Sequence, residues 1–244
     1  MYSQIDINQI HVFDNGVKVY KRHLLDIQLE RYAKINLHEP EEEPLFVKAI
    51  KDINPKRGVY LNIGAAIGYY VILARRLHQK LEIHAFEPLP EHSSYMLENL
   101  KLNEISMNRI KIHNVAISSR DGEAAFMLRS YGSSLIQEKY LRLPSPPVER
   151  QSFVKVAMLD TFQKSLGKPI DLVQMDVQGF ELDVLAGSIE SLTNKLVKTW
   201  VVGTHGQRIH EDCKKTLTTY GCQIVYDDMD TKHQPDGIIL AVAE

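Results

Sequence analysis

Thiols are scarce in this chain. Its two cysteines, Cys213 and Cys222, among 244 residues are too few for a disulfide framework, and both are expected as buried free thiols. No apolar stretch reaches the ~18 residues that suggest a membrane-spanning helix. The polar start Met1-Tyr-Ser-Gln-Ile-Asp6 has neither the basic nor the apolar region of a secretory signal, which leaves the cytoplasm as the expected compartment. The ten histidines are scattered. His205 and His210 stand five apart rather than the four that would set two imidazoles on one helix face. Neither His-Glu-x-x-His nor a paired Cys-x-x-Cys occurs, so no metal site is expected. A Walker A loop, internal repeats and low-complexity tracts are absent as well. The formal net charge of −2 argues against a broad phosphate-binding surface, and nucleic acid is not an expected partner.

What is present is enough apolar sequence, 44% of residues with 25% charged, for one large core. Asp14-Asn15-Gly16 sits between two short alternating runs within residues 10–22 and predicts a hairpin. Leu24 to Ala33 and Pro44 to Asp52 read as helices. Between them, Glu39-Pro-Glu-Glu-Glu-Pro44 places carboxylates where a helix dipole favours them, or sets one of Glu41, Glu42 and Glu43 over a ligand pocket. From Val59 onward strands and helices alternate. Strands are expected at Val59–Ile63, Leu81–Phe86, Ile110–Ile117, Ile170–Met175 and Val197–Gly203, and helices at Tyr69–Leu77, Pro90–Leu102 and Glu181–Leu192. This alternation predicts a parallel sheet covered by helices on both faces. Two last strands, Cys222–Tyr226 and Gly237–Val242, are close enough in sequence to pair antiparallel. The proline-bearing segment 129–151 has no clear periodicity and reads as a lid or acceptor-binding loop, or as a solvated insertion.

The chain is organised around Val59 to Leu77, where an apolar strand meets Gly64, four residues pass to Gly68, and a helix begins. Gly64 would allow a turn of positive φ or the close approach of a ligand, and Gly68 would let the helix pack on the strand. An ordinary strand-to-helix connection would ask for the same two glycines. In open α/β sheets ligands sit beyond the carboxyl ends of the strands, which singles out residues 62–68, Glu87-Pro88, residues 114–117, residues 176–179 and residues 204–206. Glu87 lies 23 residues after Gly64, close to the ~20 at which such folds hold ribose hydroxyls with a carboxylate. Ala66 occupies the position where dinucleotide binding prefers glycine, which favours S-adenosylmethionine over NAD.

Three blocks then carry a resemblance: Asn62-Ile-Gly-Ala-Ala-Ile-Gly68; Phe86-Glu-Pro-Leu-Pro90 with Leu97-Glu-Asn-Leu-Lys-Leu-Asn103; and Gln174-Met-Asp-Val-Gln-Gly-Phe-Glu-Leu-Asp-Val-Leu-Ala-Gly187. Together, over roughly Val59 to Leu192, they resemble the FkbM family of S-adenosylmethionine-dependent methyltransferases. The resemblance implies a class I, Rossmann-like α/β fold with a seven-stranded, mostly parallel sheet. It also implies S-adenosylmethionine as donor, commonly transfer to a hydroxyl of a sugar or natural product, and a place for Ser133-Ser134 in a loop near the pocket. The chain would divide into an N-terminal hairpin and helical extension, residues 1–55, and a methyltransferase domain, residues 56–244.

Three departures stand out. The family usually has Asp at the position of Asn62, Asn at that of Ala66, and Asp-Val-Glu-Gly where this chain has Asp176-Val-Gln-Gly179. The donor is expected across Asn62, Gly64, Ala65, Gly68, Glu87, Pro88, Val115, Ala116 and Asp176, with its ammonium near Asn62 and its adenine near Val115-Ala116. His205 is the expected general base, because an imidazole near its unperturbed pKa can accept a hydroxyl proton around neutral pH. Asp176 is its partner, a ligand of the donor ammonium, or the base itself. The acceptor would be a small molecule, a glycan or a peptide. The alternatives are N-methylation of a peptide amide or amine, and a donor-binding module without turnover. Nucleic-acid methylation is least favoured, because the Asn/Asp-Pro-Pro-aromatic loop is missing after the fourth strand.

Overall fold

The computed structural model describes residues 9–127, 134–135 and 151–244. Strands β1 (Ile10–Val12) and β2 (Lys18–Tyr20) form the expected hairpin. Its turn is closed by the Asn15 side chain, which accepts the Val17 amide at 2.9 Å. Helices α1 (Asp26–Tyr32) and α2 (Glu42–Asp52) lead into β3 (Val59–Ile63), α3 (Tyr69–Leu77), β4 (Glu82–Phe86), α4 (Pro90–Leu102) and β5 (Ile110–His113). There follow β6 (Ala116–Ile117), β7 (Gly122–Met127), β8 (Ser134–Leu135), β9 (Gln151–Ala157), α5 (Leu159–Leu166) and β10 (Ile170–Met175). The chain ends with α6 (Glu181–Ala186), α7 (Ile189–Thr193), β11 (Val197–Thr204), α8 (Gln207–Thr219), β12 (Cys222–Asp228) and β13 (Gly237–Ala243).

Seven strands form the main sheet in the order β12-β13-β11-β10-β3-β4-β5. Only β13 runs against its neighbours. All five residues of β3 are buried, as a central strand covered on both faces requires. Its side chains alternate, with Tyr60 entering the core under α2 and α3 and Val59, Leu61 and Ile63 entering the core of the opposite face. Phe13, Val17 and Val19 from the hairpin, and Phe46 and Ile50 from α2, belong to the first of these cores together with Ile72 and Leu100.

Two expected elements are broken. The strand expected over Ile110–Ile117 leaves the sheet after His113, where the Asn114 amide turns inward to Ser93 Oγ at 2.6 Å and the Glu87 carbonyl at 3.3 Å. Ala116–Ile117 then pairs with β9 in a second sheet of order β6-β9-β7-β8. That sheet was not legible because β7 leads into, and β8 and the start of β9 fall within, the segment 129–151, whose sequence has no clear periodicity. The helix expected over Glu181–Leu192 stops at Gly187, where a Cβ would come within 2.0 Å of the Ser118 carbonyl oxygen, so the backbone passes Ser118 too closely for the helix to continue straight. Cys213 and Cys222 are buried free thiols. No helix among the described residues is long and apolar enough to cross a membrane.

Candidate active site

Strand β3 connects onward to β4 on one side of the sheet, while β10 lies on its other side, and a crevice forms where the order reverses. A cleft of about 590 Å³ opens there. Its floor begins at Gly64, with φ +81°, where a Cβ would stand 1.9 Å from the Asp176 carbonyl oxygen. The turns after β3 and β10 are therefore in backbone contact, and only glycine fits. The Gly64 and Ala65 amides both donate to the Phe86 carbonyl at 3.0 Å. Ala66, itself at φ +44°, donates its amide to Glu87 Oε2 at 2.9 Å, and Leu89 donates to Oε1 at 3.0 Å. Glu87 thus ties the glycine turn to the start of α4 on the cleft wall; its Oε1 also faces His92 Nδ1 at 3.4 Å, and Oε2 keeps a second lone pair.

Behind the turn runs a buried chain of polar groups. Asn62 Nδ2 donates to Gln174 Oε1 on the neighbouring strand, and Gln174 Nε2 donates to Glu42 Oε1 at 3.0 Å. Burial, reinforced by the charges of Glu39 and Asp176, pushes the Glu42 carboxyl well above the usual range. Asn62 Oδ1 has no hydrogen-bond partner although the residue is only 2% exposed. A buried acceptor without a donor on a cleft wall is what a ligand ammonium would complete.

Facing this wall are three carboxylates, Glu39, Asp176 and Asp236, which line the cleft and offer oxygen atoms within 4.8 Å of one another. Such crowding disfavours ionisation. Burial raises the Asp176 carboxyl to about 6, with Asp236 and Glu181 adding to the rise and His205 opposing it. Burial and the charge of Asp176 raise Glu39 to about 8, against the Tyr70 hydroxyl that donates to Glu39 Oε2 at 2.7 Å. About a quarter of the Asp176 side chain remains exposed, so it can be reached from the cleft.

His205 is held behind this group. Its Nδ1 lies 2.7 Å from Glu181 Oε1, and its Nε2 lies 3.0 Å from Asp236 Oδ1 and 3.5 Å from Asp176 Oδ1. Burial by itself would lower its pKa, but hydrogen bonds to Asp236 and Glu181 and the charge of Asp176 carry it to about 11. At neutral pH it is an imidazolium with no free lone pair, and it is not on the cleft wall. This placement and charge do not favour the general-base role expected of His205. Adjacency to carboxylates, invisible in its local sequence, turns it into their counter-ion.

A profile of the methyltransferase FkbM domain matches residues 62–220. The chain belongs to the FkbM methyltransferase family. It is 25% identical over 176 residues to a putative methyltransferase of Jannaschia sp., covering 68% of this chain and 63% of that protein. It is 30% identical over 152 residues to the 2-O-methyltransferase NoeI of Sinorhizobium fredii, covering 55% and 59%. The chain thus spans about 60% of the length of these curated relatives. Among solved structures, the methyltransferase FkbM of Methylobacillus flagellatus KT superposes with a TM-score of 0.56 at 14% identity, over 76% of this chain and 44% of that one. Magnesium protoporphyrin IX methyltransferase from Synechocystis PCC 6803, with bound S-adenosylmethionine, gives 0.56 at 11% identity over 92% and 89%. The fold is that of the class I methyltransferases.

Within this FkbM fold, Asn62, Gly64, Ala65, Glu87, Pro88, Ala116 and Asp176 all line the one cleft. Gly68 and Val115 do not. Gly68 caps α3 at φ +84°, and a Cβ there would stand 2.4 Å from Met96 Cγ, so it serves helix packing. Ile117 takes the place expected of Val115 on the wall, because the chain has already crossed into the second sheet. None of Glu41, Glu42 and Glu43 reaches the cleft wall. Glu39, from the same acidic run, does. Glu43 is occupied by Asn15 and the Tyr69 hydroxyl, and Glu41 by the amides of Lys232 and His233. Asp236 escaped notice although a signal existed: it precedes an antiparallel strand, whose beginning lies at the edge where parallel strands end. The segment 129–151, including Ser133, lies outside the described residues except for Ser134, Leu135 and Gln151. Of these, Leu135 lines the cleft.

Proposed function

We propose that this FkbM protein is an S-adenosylmethionine-dependent methyltransferase acting on a hydroxyl of a sugar, glycan or natural product, with Asp176 as the proton acceptor. The observation that carries this reading is the pair Asp176 and Glu39 on the wall of the cleft, beside the glycine turn, with their carboxyls raised to about 6 and about 8. An ordinary aspartate near ~3.9 is too weak a base for a hydroxyl, whereas one near neutrality combines the ionised form with useful basicity.

The cleft fits the donor on its own terms. The unpartnered Oδ1 of Asn62 suits an ammonium, Glu87 suits two ribose hydroxyls, and the apolar surfaces of Phe86, Ala116 and Ile117 suit an adenine. S-adenosylmethionine would supply a methyl already activated as a sulfonium. The chain's own work is then to hold the acceptor in line and to take its proton at an Asp176 oxygen, with His205 keeping that carboxylate charged. Amide Asn62 in place of an acid is consistent with this arrangement, because a carboxylate there would face the Gln174 Oε1 that now accepts from it. The 2-O-methyltransferase NoeI supports a hydroxyl acceptor, and the bound S-adenosylmethionine of the Synechocystis enzyme supports the donor.

The test is release of S-adenosylhomocysteine from S-adenosylmethionine across a panel of hydroxyl-bearing glycans and natural products, as a function of pH. Turnover is expected to rise with pH through about 6 as Asp176 ionises. An Asp176→Asn enzyme is expected to lose ~10²- to 10⁴-fold in turnover, the range of general-base catalysis, while still binding S-adenosylhomocysteine. An Asp176→Asn enzyme with wild-type turnover would remove Asp176 as the base.

A further inference from the structure

The cleft carries a cation that the proposed chemistry leaves without a task. Arg31, on α1, lines the wall and is partly buried. One of its two terminal nitrogens, Nη2, donates to the His38 carbonyl at 2.9 Å. Its guanidinium carbon lies 5.3 Å from the centre of the Tyr32 ring. The Tyr32 hydroxyl also hydrogen-bonds the guanidinium, whereas Nε is buried with no hydrogen-bond partner. His38, its neighbour, offers no negative charge. Burial and the charge of Arg31 itself hold that imidazole down at about 3, so it is neutral.

A guanidinium partly removed from water without a close, fully charged counter-ion is costly unless a ligand provides one. The acid its charge reaches is Glu39, but burial and the charge of Asp176 hold that carboxyl up at about 8 against the pull of Arg31, so near neutral pH it supplies little negative charge. The exposed side chains of Lys232 and His233 line the same cleft. All three basic residues lie outside residues 62–220, the part shared with the family.

We propose that Arg31 is a carboxylate-binding residue of this cleft, with Lys232 adding charge at the rim. The inference rests on the donor reading above and deepens it. A carboxylate can come from two sources, the methionine portion of the donor or an anionic acceptor. The planar donor fork of arginine suits either.

Calorimetry on the full chain separates them. Three probes are titrated: S-adenosylhomocysteine; 5′-methylthioadenosine, which lacks the amino-acid portion; and malonate added to protein saturated with S-adenosylhomocysteine. If the donor carboxylate is the ligand, Arg31→Met weakens S-adenosylhomocysteine by about tenfold or more, as loss of a charge-assisted contact predicts, and leaves 5′-methylthioadenosine unchanged. If an acceptor anion is the ligand, S-adenosylhomocysteine is unchanged and the wild type's affinity for malonate is lost. Should Arg31→Met also lose 5′-methylthioadenosine, Arg31→Lys, which keeps the charge but not the fork, carries the comparison with an intermediate loss expected. Equal affinities of variant and wild type for both carboxylate probes overturn the inference alone. A wild-type chain that binds neither nucleoside overturns the donor reading and this inference with it.

Discussion

His205 shows how far a residue's chemistry departs from its type once neighbours are known. In the folded chain it keeps its proton up to about 11, whereas an unfolded histidine releases it near ~6.5. Between those values the native state binds more protons than the unfolded state, so this contribution to stability is complete below about 6.5 and is lost as pH rises toward 11. Wild-type urea midpoints are therefore expected to fall between about pH 7 and 9, with a limiting slope of ~1.4 kcal/mol per unit for one group. A His205→Gln variant is expected to be less stable at neutral pH, because Glu181, Asp236 and Asp176 lose their counter-ion, and to show a flatter dependence. Identical slopes for the two proteins would mean that His205 is not charged in the fold. The same neighbours bear on Asp176: the sequence offered it as partner of His205, ligand of the donor ammonium or base, and the crowding of carboxylates is what favours the last in our proposal.

At the scale of elements, the glycine turn is constrained from outside as much as by its own bend. Gly64 answers to the backbone of Asp176, which follows a strand over a hundred residues later, and its φ of +81° adds a second reason for glycine. A Gly64→Ala change is expected to destabilise by ~1 to 3 kcal/mol or more, from backbone strain and the forced separation of two turns, and to weaken S-adenosylhomocysteine binding. Gly167 provides the control. It has φ +68° with nothing within 4 Å of a Cβ, so its alanine variant meets the strain alone. Urea unfolding of the two variants measures the difference, and equal losses would show that the contact with Asp176 is relieved at no cost. Coupling between strands also governs Asn62, whose amide continues through Gln174 to Glu42 on α2. A site residue on one strand is thereby fixed by a helix that precedes it.

For the whole molecule, the boundary expected at residues 55 and 56 falls inside a shared core. Phe13, Val17, Val19, Phe46 and Ile50 are packed in one cluster with Ile72, Ile83 and Leu100. We propose that the N-terminal extension and the rest of the chain unfold as one unit. Fluorescence of Trp200, the single tryptophan and fully buried, is expected to report the same transition as far-ultraviolet dichroism. Deleting residues 1–25 removes buried side chains of ~1.5 to 3 kcal/mol each, and the remainder is expected to lose its cooperative transition. A truncated chain that unfolds at the wild-type urea midpoint would show the extension to be an independent layer.

The alternation of apolar runs with glycine turns was sufficient to set the parallel sheet, its antiparallel end and the strand ends where the cleft opens, because those features repeat locally along the chain. Glu87 was legible for the same reason: its spacing from Gly64 is a local count that the βαβ geometry makes meaningful. What the sequence left open depends on distance through space. Whether His205 accepts or holds a proton, which glutamate of residues 39–43 faces the cleft, and where Asp236 stands were decided by β13 running back beside β11 and by α2 packing on the sheet. Electrostatic character is a property of neighbours, and the neighbours here come from segments up to two hundred residues apart.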